Sequence, residues 1–311
     1  MKLDPNTHSM EAPMLSVAIR SIRATVSFTL MWINTMVLCL PIYIVAILRV
    51  LSPKSMKPLW TRLAMASAET WISINNLILN SLQTLNIEVV GEPALKSEAW
   101  YLVIANHQSW TDIVVLQRVF NRKIPMLKFF IKQQLIYAPI IGIAWWVLDF
   151  PIMKRFSATT LKNKPHLRGK DIETTKASCE RFKLTPVSVL NFLEGTRFNT
   201  EKRTSQGSPY RHLLKPKSGG ATMVLESLND RLHSVLDVTL VYHDKTPSFI
   251  EFLMGHRSKI TVHIEEVPIN EIKHRGPIQS EGFNNRQTLS FLQERWQKKD
   301  ALINDLLEQT T

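Results

Sequence analysis

The chain has 311 residues, of which 45% are hydrophobic and 21% are charged, so it can bury a core and is neither disordered nor fibrous. Its formal net charge of +12 indicates an anionic partner. The net charge alone does not distinguish a nucleic acid, an acidic membrane face, a phosphorylated cofactor and an acidic carrier protein. The only cysteines are Cys39 and Cys179, which excludes a disulfide framework and a cysteine-based zinc site and favours a reducing compartment.

The first element along the chain is an uncharged run of 25 residues, residues 24–48. This run exceeds the roughly 20 residues that a helix needs to cross a bilayer core. It is longer than the apolar region of a cleaved signal peptide and ends at Arg49. Pro41 leaves two predictions open, a single spanning helix or a bent helical hairpin in the membrane interface. Basic residues that follow the run predict that the C-terminal body faces the cytoplasm.

Helical periodicity in residues 60–85 predicts an amphipathic helix that packs on the body or on the membrane. From Trp100 onward, short β-rich runs alternate with helical segments, which predicts an α/β domain with a mainly central β-sheet covered by helices. The predicted strands are Tyr101–Ile104, Pro186–Phe192, Val235–Tyr242 and Ile260–Glu265, and the predicted helices are Thr111–Phe120, Asp171–Lys183, Gly219–Leu228 and Leu289–Leu307. The expected division is a flanking segment (1–23), a membrane anchor (24–48), a helical connector (49–87) and one catalytic-size domain with a C-terminal helix (88–311).

Positive charge is concentrated in one part of this domain. Residues 121–183 hold thirteen Lys and Arg against four Asp and Glu, a net +9 of the +12. This segment is therefore a candidate binding surface for an anion. No helix-turn-helix, zinc or RNP-type pattern accompanies the basic residues, so nucleic acid is not the expected partner.

A first polar cluster follows the predicted strand Tyr101–Ile104, where a helix is about to begin. It contains Asn106, His107 and Asp112. On a continuous helix His107 and Asp112 would lie about 140° apart, so they meet only if His107 lies in the turn. An imidazole beside a carboxylate is a general base with a fixed tautomer. The alternative is that Asp112 or Thr111 caps the helix and His107 is an ordinary turn residue.

A second polar cluster directly follows the predicted strand Pro186–Phe192. In it, Gly195 permits close approach to the backbone, and Arg197 offers a planar fork suited to phosphate. Glu194 and Thr196 can hydrogen-bond substrate hydroxyls or hold Arg197. Taken alone, this Glu-Gly-Thr-Arg turn is also compatible with an ordinary solvated loop.

Together the two clusters resemble NHxxxxD and EGTR, the signature pair of the PlsC-type lysophosphatidate acyltransferase family. Within that family the chain looks close to the YihG-like bacterial acyltransferases. The resemblance covers roughly residues 88–268 and implies a glycerolipid acyltransferase fold. The implied catalytic motif is Asn106, His107 and Asp112, and the implied binding site for the glycerol phosphate of the acceptor is Glu194, Gly195, Thr196 and Arg197.

The resemblance also implies the reaction. His107, oriented by Asp112, would act as general base while a lysophospholipid hydroxyl attacks an acyl-CoA or acyl carrier protein thioester, with no acyl-enzyme, metal or cofactor. The family's default acceptor is 1-acylglycerol-3-phosphate, which gives phosphatidate. The expected location is the cytoplasmic face of a bacterial inner membrane. The alternative from another class is a membrane-tethered, lipid-binding pseudoenzyme that uses the basic face.

Two further segments match the family less closely, and a third segment is interpreted from its own residues. Residues 150–155 resemble a block that ends in a phosphate-binding arginine, here Arg155, but Asp149 stands where that block usually has glycine. Residues 238–242 resemble a block that commonly contains proline, and its absence leaves the acceptor open. Residues 214–220 open a helix where Lys217 and exposed amides suit an anion, although the glycines there are equally explained as turn formers.

One more uncharged segment, residues 133–148, is shorter than the roughly 20 residues that a spanning helix needs and is interrupted by Pro139 and Gly142. Two predictions remain open for it. It either dips into the interface and holds an acyl chain, or it forms part of the buried core of the domain.

Overall fold

The structure, a computed structural model, describes residues 7–83, 85–91, 93–153, 181–183, 185–255, 259–273 and 285–309. Within them, a six-stranded sheet forms the centre, and helices cover both faces. The strands of this sheet are β1 (Ile87–Val90), β2 (Trp100–Ala105), β3 (Leu127–Phe129), β6 (Ser188–Phe192), β7 (Leu232–Tyr242) and β8 (Ile260–Pro268), and a separate pair is β4 (Ile131–Lys132) and β5 (Ile152–Met153). The helices are α1 (Thr7–Leu51), α2 (Lys57–Leu82), α3 (Thr111–Phe120), α4 (Ile141–Val147), α5 (Thr200–Ser205), α6 (Gly219–Leu228), α7 (Phe249–Leu253), α8 (Ile269–Lys273) and α9 (Asn285–Glu308).

The predicted α/β class is confirmed, and two predicted helices, α3 and α6, have the predicted bounds. Strands β1, β3, β4 and β5 were not predicted from the sequence. They have only two to four residues, which is too few to show the alternation of apolar and polar residues that marks a strand. The predicted helix Asp171–Lys183 lies mostly outside the described residues, and its described end, Arg181–Lys183, is a 3₁₀ turn. Arg155 also lies outside the described residues.

The order of the sheet brings the two polar clusters to one edge. The strands lie in the order β1-β8-β7-β2-β6-β3, and all neighbours are parallel except β7 and β8. The last residue of β2, Ala105, lies opposite Phe192 of β6 and Val238 of β7. The carboxyl ends of β2 and β6 therefore meet, whereas β7 continues past them to Tyr242.

The faces of the sheet are covered by different helices. One face packs against α3 and, through Leu79 and Ala24, against α2 and α1. The other face packs against α6 and the C-terminal helix α9, with Trp296 fully buried. The central strand β2 is covered on both sides, which explains why its sequence is a continuous apolar run.

The N-terminal apolar run belongs to a helix longer than predicted. Helix α1 continues through Pro41 without a break, and the chain turns back only at residues 52–56, after which α2 packs against α1. Asn34 Nδ2 donates to Asn75 Oδ1 at 2.8 Å, and Gln83 Nε2 donates to Ser27 Oγ at 2.9 Å. Among the described residues, α1 is the one helix long and apolar enough to cross a membrane.

Helix α4 is attached to α1 at both ends. Tyr43 donates its hydroxyl proton to Ile140 O at the start of α4. At the other end, Arg49 donates to Val147 O at 2.7 Å and to both carboxylate oxygens of Asp149 at 3.1 Å. The φ of Asp149 is +54°, a left-handed conformation that favours glycine, although this chain has aspartate there.

The uncharged segment 133–148 is buried on one side, as the core prediction requires, while the interfacial alternative stays a prediction. Ala144, Val147 and Leu148 are buried in the cluster between α1, α2 and α4. Tyr137 and Trp146 of the same segment are exposed, at 79% and 44% of their surface. The segment is therefore part of a core on one side and presents large apolar side chains on the other.

Candidate active site

The histidine and the aspartate of the first polar cluster form a hydrogen-bonded pair. His107 lies in the turn after β2, and Asp112 lies in the first turn of α3, as their pairing requires. His107 Nδ1 and Asp112 Oδ2 are 2.8 Å apart, and the imidazole is stacked on Phe192 at 4.0 Å between ring centroids. Nε2 of His107 makes no hydrogen bond with the residues that the structure describes, so this nitrogen can accept a proton.

Asp112 also accepts hydrogen bonds from the backbone around it. Its Oδ2 accepts from Gln108 N at 2.6 Å and from Ser109 N at 2.9 Å, and the side chain is fully buried. The same oxygen thus contacts the imidazole and holds the turn that precedes α3. The predicted capping of α3 by Asp112 or Thr111 is wrong, because the N-cap position is Trp110 and no side chain caps the helix. Ser109 strengthens the turn by donating its hydroxyl proton to Pro247 O at 2.7 Å. The turn that carries His107 is held from several sides.

Asn106 extends the sheet beyond the end of β2. Its Nδ2 donates to Leu240 O at 2.9 Å, and its Oδ1 accepts from Leu240 N at 2.8 Å. Asn106 is fully buried, and its side chain makes the two hydrogen bonds to β7 that the backbone of β2 would make if the strand continued. A proline at position 240 would lack the N–H that donates to Asn106 Oδ1.

Glu194 connects the two polar clusters from inside. Its Oε1 accepts from His107 N at 2.8 Å, and its Oε2 accepts from Leu214 N at 3.0 Å. The side chain is fully buried. Burial raises the pKa of Glu194 to about 7, against the opposing effect of the two N–H groups, and the nearby charge of Asp112 raises it further. Both oxygens face backbone groups of the protein, so Glu194 holds loops together rather than facing solvent.

The remaining residues of the second cluster lie at the surface. Gly195 has a φ of +67°, and a Cβ there would lie 3.3 Å from Lys217 Nζ. The positive φ therefore favours glycine at this position, and Lys217 lies against it. Thr196 Oγ1 accepts from Lys202 Nζ at 2.9 Å. The guanidinium of the exposed Arg197 lies over the Trp110 ring, 5.1 Å from its centroid.

An apolar cavity of about 590 Å³ begins beside this surface. Trp110 lines it at the site end, and the other walls come from α1, α2, α3 and α4. The lining residues that belong to these helices or follow them include Cys39, Ile42, Ile72, Ala144 and Leu148. The cavity joins a surface with basic side chains to an interior suited to a hydrocarbon chain.

Several residues near the site were missed by the sequence analysis. Tyr242 contacts Asp112, and Lys202 contacts Thr196 and the Arg197 carbonyl. No local pattern marks Tyr242, because it lies 130 residues from Asp112 and reaches it only through the register of β7. In the described part of the chain, no three His, Cys, Asp or Glu side chains converge as metal ligands would.

Comparisons with known proteins agree on one family. The family model described as Acyltransferase matches residues 86–243, just over half of the chain. An Arabidopsis thaliana protein named "Probable 1-acyl-sn-glycerol-3-phosphate acyltransferase 5" is 25% identical over 248 residues, which cover 76% of this chain and 61% of that protein. Mouse 1-acyl-sn-glycerol-3-phosphate acyltransferase epsilon is 24% identical over 230 residues, which cover 67% of this chain and 58% of that protein.

The chain spans about three-fifths of the length of these curated relatives. Among solved structures, the 1-acyl-sn-glycerophosphate (LPA) acyltransferase PlsC from Thermotoga maritima aligns with a TM-score of 0.45 and 16% identity. The alignment covers 89% of this chain and 97% of that one.

Proposed function

Because the chain belongs to the Acyltransferase family, we propose that it transfers a fatty acyl group from a thioester donor to the free hydroxyl of a lysophospholipid. The donor is acyl-CoA or an acyl carrier protein. The first candidate acceptor is 1-acylglycerol-3-phosphate, which would give phosphatidate. The observation that carries the proposal is the 2.8 Å contact between His107 Nδ1 and Asp112 Oδ2, placed at a strand end beside the apolar cavity.

The chemistry of the pair fits a direct transfer. Nε2 of His107 removes the proton from the acceptor hydroxyl as its oxygen attacks the thioester carbonyl. The new C–O bond forms, the tetrahedral intermediate collapses, and the C–S bond breaks. The imidazolium, stabilised by Asp112, then returns the proton to the departing thiolate. Such positioned proton transfer contributes about 10²–10⁴ in rate.

The phosphate of the acceptor is expected at the exposed cations beside the dyad. Arg197, held over Trp110, and Lys217, which covers Gly195, are the proposed phosphate ligands, with Thr196 as a hydroxyl partner. Glu194 has a different proposed role, because its two oxygens face His107 N and Leu214 N. It would position the turn that carries His107. A role for Arg155 rests on the family resemblance alone.

The acyl chain is expected in the cavity lined by α1, α2, α3 and α4. Trp110 lines the cavity and also lies under Arg197, so one residue borders both the hydrocarbon and the phosphate regions. A glycerolipid has the same division, with an apolar chain on one side of the glycerol and a charged head on the other. The shape and chemistry of the site therefore suit a lipid substrate better than a water-soluble one.

The proposed attachment to a membrane is supported by the apolar surface of the N-terminal helix α1. Side chains of α1 such as Ile22, Trp32 and Ile47 are more than half exposed. The helix contacts the body near both ends of its uncharged run, at Ala24 and Arg49, which lie about 38 Å apart along a helix. This placement favours α1 lying along the body in the interface over a free spanning helix. The resemblance to YihG-like bacterial proteins points to the cytoplasmic face of a bacterial inner membrane.

The test is acyl transfer from labelled acyl-CoA and acyl carrier protein to a panel of lysophospholipids, in membranes that contain the full chain. We expect transfer to fall at least about 100-fold in His107→Ala. His233→Ala, which removes a histidine on β7 that lies against Tyr101 and Glu266, is the matched control and should retain activity. Transfer that is equal in both variants would remove His107 as base. No transfer with any donor and acceptor would favour the lipid-binding pseudoenzyme.

A further inference from the structure

Strand β7 extends past the end of β2 and carries Tyr242 to the dyad. Tyr242 is 4% exposed and packs in the same core cluster as β2 and α3. Its hydroxyl oxygen lies 2.6 Å from Asp112 Oδ1 and 2.8 Å from Thr111 Oγ1. The phenol therefore contacts the carboxylate oxygen that His107 does not use.

The direction of these hydrogen bonds is fixed by chemistry. An ionised carboxylate can only accept, so the single proton of the Tyr242 hydroxyl is donated to Asp112 Oδ1. The Thr111 hydroxyl then donates to the oxygen of Tyr242. Burial, reinforced by the charge of Asp112, raises the pKa of the Tyr242 phenol well above its ordinary value, so the group stays protonated and remains a donor.

The two oxygens of Asp112 are thus held by different parts of the chain. Oδ2 is held by the catalytic turn, through His107 Nδ1 and the N–H groups of Gln108 and Ser109. In the part of the chain that the structure describes, Oδ1 is held only by β7, through Tyr242. Without Tyr242, Oδ1 would have no donor among the described residues, and the carboxylate would be fixed on its Oδ2 side only.

We propose that Tyr242 is a positioning residue of the acyl transfer reaction, which fixes Asp112 Oδ1 so that Oδ2 faces the imidazole of His107, and that Thr111 orients the Tyr242 hydroxyl. The inference rests on the function proposed above, in which His107 is the base. Tyr242 does not touch the substrate in this scheme and acts only through Asp112.

The hydrogen bond also affects the charge that the imidazole experiences. The titratable groups that face Asp112 are His107 from the turn, Tyr242 from β7 and Glu194 from the end of β6. Glu194 directs both of its oxygens to backbone N–H groups. Tyr242 therefore neutralises part of the Asp112 charge, and its removal leaves more negative charge to stabilise the imidazolium form. The protonated, inactive form of the base should then persist to higher pH.

The experiment compares two buried tyrosines of the same core cluster. Tyr242→Phe removes the hydroxyl that contacts Asp112. Tyr101→Phe removes a hydroxyl that accepts from Lys96 N at 2.9 Å and has no contact with the dyad. Acyl transfer is measured with the full chain in membranes as kcat, as KM for donor and acceptor, and as the pH dependence of kcat. Thermal unfolding of both variants checks that they are folded.

For Tyr242→Phe we expect kcat to fall about ten-fold, with both KM values unchanged and the acid limb of the pH profile displaced to higher pH. Tyr101→Phe should keep the wild-type kcat and pH profile. Thr111→Val, which removes only the partner of Tyr242, should lower kcat about two- to three-fold with the same direction of displacement.

The results separate this inference from the proposed function. If the wild-type chain transfers no acyl group, the proposed function fails. If the wild-type chain is active and Tyr242→Phe matches Tyr101→Phe in kcat and pH profile, the role of Tyr242 is overturned. A loss of kcat with an unmoved acid limb would also overturn it, because a general loss of packing predicts that result. If Tyr242→Phe does not fold, the kcat and the acid limb of Thr111→Val, compared with those of Tyr101→Phe, decide whether the role of Tyr242 stands.

Discussion

The edge of the sheet and the group of N-terminal helices border the same cavity, but they are held together by different forces. At the sheet edge, the side chains of Asn106, Asp112 and Glu194 are fully buried, and each makes hydrogen bonds with backbone groups. Between α1, α2 and α4 the contacts are mainly apolar, with isolated polar contacts such as Asn34 to Asn75. Directional bonds fix positions closely, whereas apolar contact depends mainly on buried area.

This difference matches what each region would have to do. A proton transfer tolerates little error in distance, so the catalytic turn is held by several short hydrogen bonds at once. A cavity for hydrocarbon needs volume and an apolar lining, and its walls can adjust without losing a directional contact. Substitutions at the sheet edge should therefore change rate and pH dependence, whereas substitutions among the helices should change chain-length preference or stability.

The largest effect is expected from Asp112→Asn. The amide cannot stabilise the imidazolium and offers fewer acceptor positions to the N–H groups of Gln108 and Ser109, so transfer should fall about 10²–10⁴-fold. Steady-state acyl transfer measures the loss. The matched control is Asp300→Asn, because the Asp300 carboxylate also accepts from two backbone N–H groups, those of Arg211 and His212, at a site remote from His107. Equal activity of the two variants would contradict the role assigned to Asp112.

The next effect concerns the pH dependence of folding through Glu194. Because the pKa of the buried carboxyl is raised to about 7, the folded protein retains its proton when the unfolded chain has lost it. The stability that this group contributes is present below about pH 4.5 and is lost as the pH rises to about 7, a change of about 3 kcal/mol. Glu194→Gln removes this dependence.

The thermal midpoint of the wild-type chain relative to Glu194→Gln should therefore fall as the pH is raised from 5 to 8. Glu251→Gln at the surface, where the carboxylate accepts from Ser248 N, should keep the wild-type slope. A wild-type slope in Glu194→Gln would show that its carboxyl does not titrate in this range.

A moderate effect is expected from Ala144→Phe in the wall of the cavity. The larger side chain would occupy space between α4 and α1, so the specificity constant for long acyl donors should fall about ten-fold. The specificity constant for short acyl donors should stay unchanged. A series of acyl-CoA donors of increasing length measures the change, with Ala221→Ser on the opposite face of the sheet as a control for core substitution. Equal losses for all lengths would contradict an acyl chain in this cavity.

The smallest effect is expected for the contact that joins α1 to the end of α4. Arg49→Ala should lower stability by about 1–2 kcal/mol, because it leaves the mostly buried Asp149 without this partner. Asp149→Gly should be nearly neutral, since it loses the same contact but relieves the φ of +54°. In the Asp149→Gly background, Arg49→Ala should then cost little. Thermal unfolding of the wild type, the two single variants and the double variant measures the coupling between Arg49 and Asp149. Additive losses of stability would exclude that coupling.

The sequence was sufficient for the helices α3 and α6, for the α/β class, and for the proximity of His107 to Asp112. These follow from local periodicity and from polar residues placed at strand ends. The contacts of Asn106 with Leu240 and of Asp112 with Tyr242 did not follow, because they depend on the register between β2 and β7. The inward direction of Glu194 was missed for a related reason: a strand end places a residue near the site without fixing the direction of its side chain.

The pairing of Asn106 with Leu240 has a consequence for engineering. The two motifs lie 134 residues apart, yet they exchange two hydrogen bonds as neighbouring strands do. Grafting a strand with proline at position 240 would leave the Oδ1 atom of Asn106 without its donor in a buried site. A chimera of two family members should therefore exchange both motifs together, because each has become part of the other's backbone pairing.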